Sequence, residues 1–83
     1  MMTTFYYVYI LQSESDPDKQ YRGMTQDLSS RLKVHNRGKV PLTSRYAPWR
    51  IINFFAFTTG GKASDFEKYL KTHSGRAFAS KHF

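Results

Sequence analysis

A chain of 83 residues without cysteine has no disulfide staples and no thiolate metal site, and its length suits one domain, residues 1–83. Seven Phe, six Tyr and one Trp among 40% hydrophobic residues mark a globular chain packed on large rings, not a disordered one. Thirteen Lys and Arg against six Asp and Glu leave a net charge of +7, and no acid lies between Asp27 and Asp65. That one-sided field favours a polyanionic partner.

From the N-terminus, residues 5–11 (FYYVYIL) are β-branched and aromatic throughout and predict a strand. The run has no Lys or Arg ahead of it, no small-residue cleavage site behind it, and far fewer than the ~20 apolar residues a membrane span needs. A cytoplasmic location without a membrane partner is therefore expected. Residues 12–20 (QSESDPDKQ) read as a hairpin loop, and Gln20–Thr25 as the returning strand, with Gly23 marking a bulge or a close approach. The acids Glu14, Asp16 and Asp18 suit a solvated turn better than a metal site.

A helix over residues 28–37 comes next, with Asp27 as N-cap and Gly38 as C′. Leu28, Leu32 and His35 fall on one arc, bordered by Arg31. Residues 39–48 carry two prolines and read as a loop with one helical turn at most. Trp49–Phe57 (WRIINFFAF) is apolar on both faces and predicts a central strand. After a break at residues 58–61, a helix over 62–72 is expected to end at Gly75. A short closing helix over 76–83 then packs Phe78 inward. The predicted order is β-β-α-loop-β-α-α.

Three features bear on chemistry. Glu67 shares a helical arc with Ala63, Phe66 and Leu70, where a carboxylate needs a partner; the plainer reading is an edge residue reaching water or an arginine. Tyr9 and Tyr21 flank the hairpin and can share a sheet face, although either alone is ordinary packing. Arg31, Lys33, Arg37, Lys39, Arg45, Arg50 and Lys62 fill the stretch without acids.

Taken in order, these residues resemble the GIY-YIG nuclease superfamily, and most closely its small stand-alone bacterial members. Tyr7-Val8-Tyr9 is similar to the first motif and Tyr21-Arg22-Gly23 to the second, with Gly23 its structural glycine. The ten residues from Gly23 to Leu32 match the family's Gly-to-Arg stretch, His35-Asn36 comes after it as in the small members, and residues 63–70 (ASDFEKYL) match the helix bearing the metal-binding glutamate. The resemblance implies an α/β (α+β) fold, a small three-stranded antiparallel sheet flanked by helices.

It also implies roles. Tyr9 corresponds to the general base or a relay toward it, and Tyr21 to the tyrosine that positions the phosphate or nucleophile. Arg31 corresponds to the stabiliser of phosphoryl charge, His35 to an aid in proton transfer, and Glu67 to the ligand of Mg²⁺ or Mn²⁺. Arg31 is expected to lower the cost of a phenolate beside it. Arg22 stands where an aliphatic residue is usual, either as a phosphate contact on the opposite sheet face or as a disturbance of the packing there. Together with Lys33, Arg37, Lys39, Arg45 and Arg50 it is expected to meet nucleic acid. Many members carry an asparagine after the glutamate helix; this chain has only Asn36 and Asn53, so that role falls to another group, such as His73 or His82, or to none.

The implied function is a metal-dependent endonuclease on DNA, structure-selective and serving repair or processing, with a protein partner as a source of target choice. The rival readings are a non-catalytic DNA- or RNA-binding module of the same fold and, more remotely, a protein-interaction module.

Overall fold

Aromatic and β-branched residues drive the first hairpin, β1 (Tyr6–Ser13) and β2 (Gln20–Thr25). The computed structural model describes residues 4–82, apart from the side chains of His73 and His82. The later elements are α1 (Leu28–Asn36), α2 (Pro41–Ser44), β3 (Trp49–Phe57), α3 (Gly60–Leu70) and α4 (His73–His82). The sheet is antiparallel in the order β2-β1-β3. The architecture is the expected one: three antiparallel strands with helices on both faces.

The central strand is β1, not β3. Burial on both faces belongs to β1, where Val8, Tyr9, Ile10 and Leu11 are all almost fully buried. In β3 burial alternates instead, and Phe54 remains 53% exposed. The apolar run in β3 therefore supplies an aromatic surface at an edge, and apolarity alone does not distinguish that from a central position. A bulge interrupts the β1–β3 pairing: Ile10 pairs with Asn53 and Leu11 with Ile51, so Ile52 is the extra residue.

Because side chains alternate across a strand, the sheet separates two apolar layers. One holds Val8, Ile10, Ala63, Leu70 and Ala79, with Phe55, Phe57 and Phe66 packed against them beneath α3 and α4. The other holds Tyr9, Leu11 and Trp49, joined by Tyr21, Leu28, Leu32 and Ile51 on the α1 side. Burial of these side chains stabilises each layer by roughly 1.5–3 kcal/mol per large residue.

Helix α1 starts where expected. The Asp27 carboxylate accepts from the Ser30 N–H at 3.0 Å, a bond that also holds its pKa below the usual aspartate value. At the other end Arg37 caps and Gly38 takes a φ of 72°. The single turn α2 lies inside the proline-bearing loop. Helix α3 begins at Gly60, two residues earlier than expected, because the Thr59 hydroxyl caps the Lys62 N–H.

Two expectations fail at the C-terminal end. Gly75 does not terminate a helix; α3 stops at Leu70, and Gly75 lies in the first turn of α4, where its N–H donates to Thr72 Oγ1 at 3.0 Å. A side chain there would collide with the Tyr69 carbonyl, so the glycine lets α4 turn back tightly against the end of α3. Phe78 does not pack inward either. It stays 38% exposed with its ring 6.2 Å from that of Tyr69, and Ala79 enters the core in its place. A helix held this close leaves room for a methyl group, not a phenyl ring.

The contrast between two glycines tests this packing. Gly75→Ala should lower stability by about 1–3 kcal/mol, as overpacking against a fixed backbone does. Gly61→Ala, with open space around its Cβ, should raise it by about 0.4–1 kcal/mol. Urea midpoints measure both, and equal shifts for the two variants would contradict the close approach of α4.

Candidate active site

The site is built on the α1 side of the sheet, around a phenol that crosses from one strand over the next. Tyr9 pairs with Gly23, and a Cβ at position 23 would collide with the Tyr9 hydroxyl. Gly23 thus provides the channel through which the Tyr9 ring passes over β2. Tyr21 pairs with Leu11, two places along, and so shares this face with Tyr9; their ring centroids lie 6.3 Å apart.

The residue Tyr9 is only 2% exposed, so its hydroxyl proton must go to a protein acceptor. Two groups reach it: Arg31 Nε at 3.3 Å and His35 Nε2 at 3.0 Å. A guanidinium has no lone pair to offer. The Tyr9 O–H therefore donates to His35 Nε2 and accepts from Arg31 Nε–H. This assigns the ring proton of His35 to Nδ1, which donates to Thr43 Oγ1 at 2.8 Å. The Thr43 hydroxyl in turn donates to the Val40 carbonyl at 3.2 Å. The result is one directed hydrogen-bond chain from Arg31 through Tyr9, His35 and Thr43 to the backbone.

Burial fixes the protonation states. His35 is fully buried, and desolvation, aided by the nearby Arg31 charge, pushes its pKa below the usual histidine value, so the ring is neutral near pH 7. For Tyr9 the expectation that Arg31 would ease ionisation is only half right. Arg31 does pull the phenol down, but burial outweighs it, and the Tyr9 pKa lies above its ordinary value, with smaller upward contributions from Tyr21 and Glu67. Tyr9 alone is thus a poor base toward solvent. Tyr21 is the partly exposed tyrosine, its ring 4.8 Å from that of His35. The Arg31 charge bears on both phenols, and its hydrogen bond to Tyr9 raises its own pKa.

Glu67 stands apart from this chain. It belongs to α3, which packs against β1 and β2 from the other side of the sheet, yet its charge is felt at Tyr9. Its carboxylate is partly buried and its ion-pair partner is Lys71 at 3.4 Å, one turn on. Among the described residues no three His, Cys, Asp or Glu side chains cluster as a metal cage. A lone carboxylate still fits Mg²⁺, which keeps most of its waters and binds through one or two carboxylates.

The basic residues spread widely. Lys33, Arg37, Lys39, Arg45 and Arg50 are exposed, running from α1 through the α2 loop to the start of β3. Arg50 donates to Gln12 at 2.8 Å. Arg22 pairs with Ile10 and so faces away from Tyr9 and Tyr21, on the α4 side.

Two residues gain roles that their sequence context does not suggest. Thr43, buried in α2, orients His35; a threonine in a proline-bearing loop carries no sequence signal for this. Asn36 uses both ends of its amide on the Trp49 backbone, donating to its carbonyl at 3.1 Å and accepting from its N–H. It therefore ties α1 to β3 as a structural clamp. The His73 and His82 side chains lie outside the described residues.

The profile of the GIY-YIG catalytic domain matches residues 5–81. The chain belongs to the GIY-YIG family. Within that family it is similar to a protein of Giardia intestinalis named structure-specific endonuclease subunit SLX1 homolog, at 36% identity over 75 residues. That match covers 86% of this chain but only 21% of the Giardia protein, so the chain spans about a fifth of that relative's length. A UPF0213 protein of Haloquadratum walsbyi is 30% identical over 74 residues, covering 88% of this chain and 81% of that one. The solution NMR structure of a UPF0213 protein from Bacillus halodurans superposes with a TM-score of 0.55 at 28% identity, covering 93% of this chain and 83% of that chain. That likeness extends from the sequence to the fold of the Bacillus halodurans protein.

The neutral, buried His35 has a consequence for stability. Its folded pKa lies below the unfolded value of about 6.5, so the unfolded chain binds the extra proton as pH falls. Stability should therefore drop as pH passes below about 6.5, by at most about 1.4 kcal/mol per pH unit, and His35→Gln should flatten that window. Urea midpoints between pH 7.5 and 5.5 check it; a parent midpoint that does not move would mean the ring is not buried neutral.

Proposed function

We propose that this chain is a divalent-metal-dependent endonuclease that hydrolyses DNA phosphodiester bonds, selecting its target by shape. The observation that carries this reading is the directed chain Arg31–Tyr9–His35–Thr43 lying on the face shared by both motif tyrosines. In hydrolysis a water oxygen bonds to phosphorus, the ester bond to the leaving strand breaks, and that strand's oxygen takes a proton. Tyr21, partly exposed, holds the incoming water or phosphate. Tyr9 accepts the water's proton only as it passes its own to His35 Nε2, so the pair moves a proton inward while neither stores a phenolate. The depressed pKa of His35 then makes the imidazolium ready to return it.

Arg31 faces the phosphoryl oxygens from beside both phenols and meets charge as it builds there. Glu67 would hold the cation, which when bound neutralises charge on the phosphoryl group. The exposed lysines and arginines of α1 and the α2 loop carry the duplex backbone. The relationship to a structure-specific endonuclease subunit supports selection by shape, and a partner protein is a further source of target choice.

A non-catalytic nucleic-acid-binding module is the second reading, favoured by the Lys71 ammonium already paired with Glu67. Supercoiled, branched and single-stranded DNA, each with Mg²⁺, Mn²⁺ or chelator, separate the two: absence of cleavage on every form with either metal selects the module.

Glu67→Gln should fold, because the ion pair it breaks is open to water at its Lys71 end and contributes at most about 1 kcal/mol. It should bind DNA at least as tightly as the parent and cleave with neither metal; parental cleavage by this variant would end the proposed mechanism. Arg31→Ala should lose about 10²-fold or more in single-turnover rate, as loss of one transition-state donor does, with little change in Kd. A weakened Kd with an unchanged rate would instead make Arg31 a simple backbone contact.

A further inference from the structure

The face of the sheet away from the tyrosines carries a second concentration of positive charge, in which Arg22 and Arg76 have no ion-pair partner among the described residues. Strand alternation that brings Tyr21 and Gly23 to one side sends Arg22 to the other. There Arg22 lines a cleft of about 210 Å³ with Ile10, Gln20, Ile52, Ala79 and Ser80. A second, adjoining cleft adds Arg76 and Lys19 and shares Gln20, Arg22 and Ser80 with the first.

The guanidinium of Arg22 is incompletely satisfied in this setting. One of its terminal nitrogens donates to Gln20 at 3.2 Å, but Nε is shut from solvent with no acceptor. A buried donor of a charged group left in that state costs more than a neutral one. Its nearest charged influence is a like one. Burial first, and then the Arg76 charge, hold the Arg22 pKa below its usual value, while the group stays protonated. Asp18 lines the outer cleft, yet the one ion pair among the described residues joins Lys71 to Glu67. Two guanidiniums, an ammonium, an amide and a hydroxyl thus share a concave space with the Asp18 carboxylate, which pairs with neither arginine among the described residues. An arginine fork in such a position matches the two oxygens of a phosphate.

We propose that the Arg22–Arg76 cleft is a second phosphodiester site, which grips a second arm of the nucleic acid on the face opposite Tyr9 and Tyr21. This rests on the nucleic-acid reading above and deepens it. A duplex that reaches only the tyrosine face uses one site. A branched substrate can place one arm on each side of a domain measuring 38 × 30 × 18 Å, which gives a small domain a means of favouring branches.

The test reads binding alone, so it decides this proposal even for a chain that never cuts. Arg22→Leu combined with Arg76→Ala puts an aliphatic residue against Ile10 and removes both charges; a thermal melt confirms that it folds. The affinity of the variant for a Y-shaped DNA junction should fall about tenfold or more, the loss of at least one charge-assisted contact. Its log–log salt slope on the junction should flatten by about 0.9 per phosphate lost, while affinity for a short blunt duplex stays within about twofold. In ¹H–¹⁵N spectra of the parent, the backbone amide signals of Gln20, Arg22 and Ser80 should shift saturably with inorganic phosphate and with junction. Equal losses on duplex and junction would overturn the proposal, as would unchanged affinity for both. A response to inorganic phosphate with unchanged junction affinity would assign the cleft to free phosphate and overturn the second-arm assignment.

Discussion

A phenol buried away from water must hand its proton to another buried group, and in this chain that need organises the whole α1 side of the sheet. Because Tyr9 is only 2% exposed, its hydroxyl proton requires an acceptor from α1, and His35 is that acceptor only if its own proton points the other way. Thr43 makes it do so, and the proline-bearing loop exists in folded form as the turn that carries Thr43. Gly23 is needed for the same reason from the other direction, since any side chain there would block the phenol. The second motif's glycine and the histidine of the first helix thus serve one hydrogen bond. A set of buried polar groups that is fully paired in this way is rigid, and one missing partner would leave the others costly.

The sheet divides the labour. On the α1 side, polar side chains reach into an apolar layer and bond one another. On the α3 and α4 side, the layer is nearly pure hydrocarbon and aromatic ring until it reaches Arg22 at its rim. Glu67 projects from this second layer yet acts electrostatically on the first. The tyrosine face and the helix that carries Glu67 are therefore held by different apolar layers that meet through the strands, which makes the sheet itself the element that sets their spacing.

Much of this was legible in the residues. The hairpin announced itself through a β-branched and aromatic run and a polar turn, α1 through Asp27 and Gly38, and the shared face of Tyr9 and Tyr21 through their places on either side of the turn. What escaped had a common physical cause: it depended on which neighbour an element meets. Apolar residues on both faces of β3 read as a central strand, but only the pairing shows that β1 holds the centre and β3 leaves Phe54 at an edge. Gly75 has the composition of a helix terminator and serves as a point of close approach, a distinction made by the Tyr69 carbonyl and not by the glycine. Arg31 does draw the Tyr9 phenol down, but the opposing cost of burial depends on the depth of the phenol, which only the packing sets.

Trp49 ties these observations to something directly visible. It is the chain's single tryptophan, 4% exposed at the start of β3, and its indole N–H donates to the carbonyl of Thr43 at 2.8 Å while its backbone is clamped by Asn36. The residue that orients His35 is therefore also the residue that holds the indole. Any loosening of α2 that frees the Thr43 hydroxyl from the imidazole also frees its carbonyl from the indole and lets water reach the ring. The intrinsic fluorescence of the protein then acts as a gauge of one small turn: emission wavelength tracks whether the hydrogen-bond chain behind Tyr9 is assembled, without any label and in a chain that has no other indole to confuse the signal.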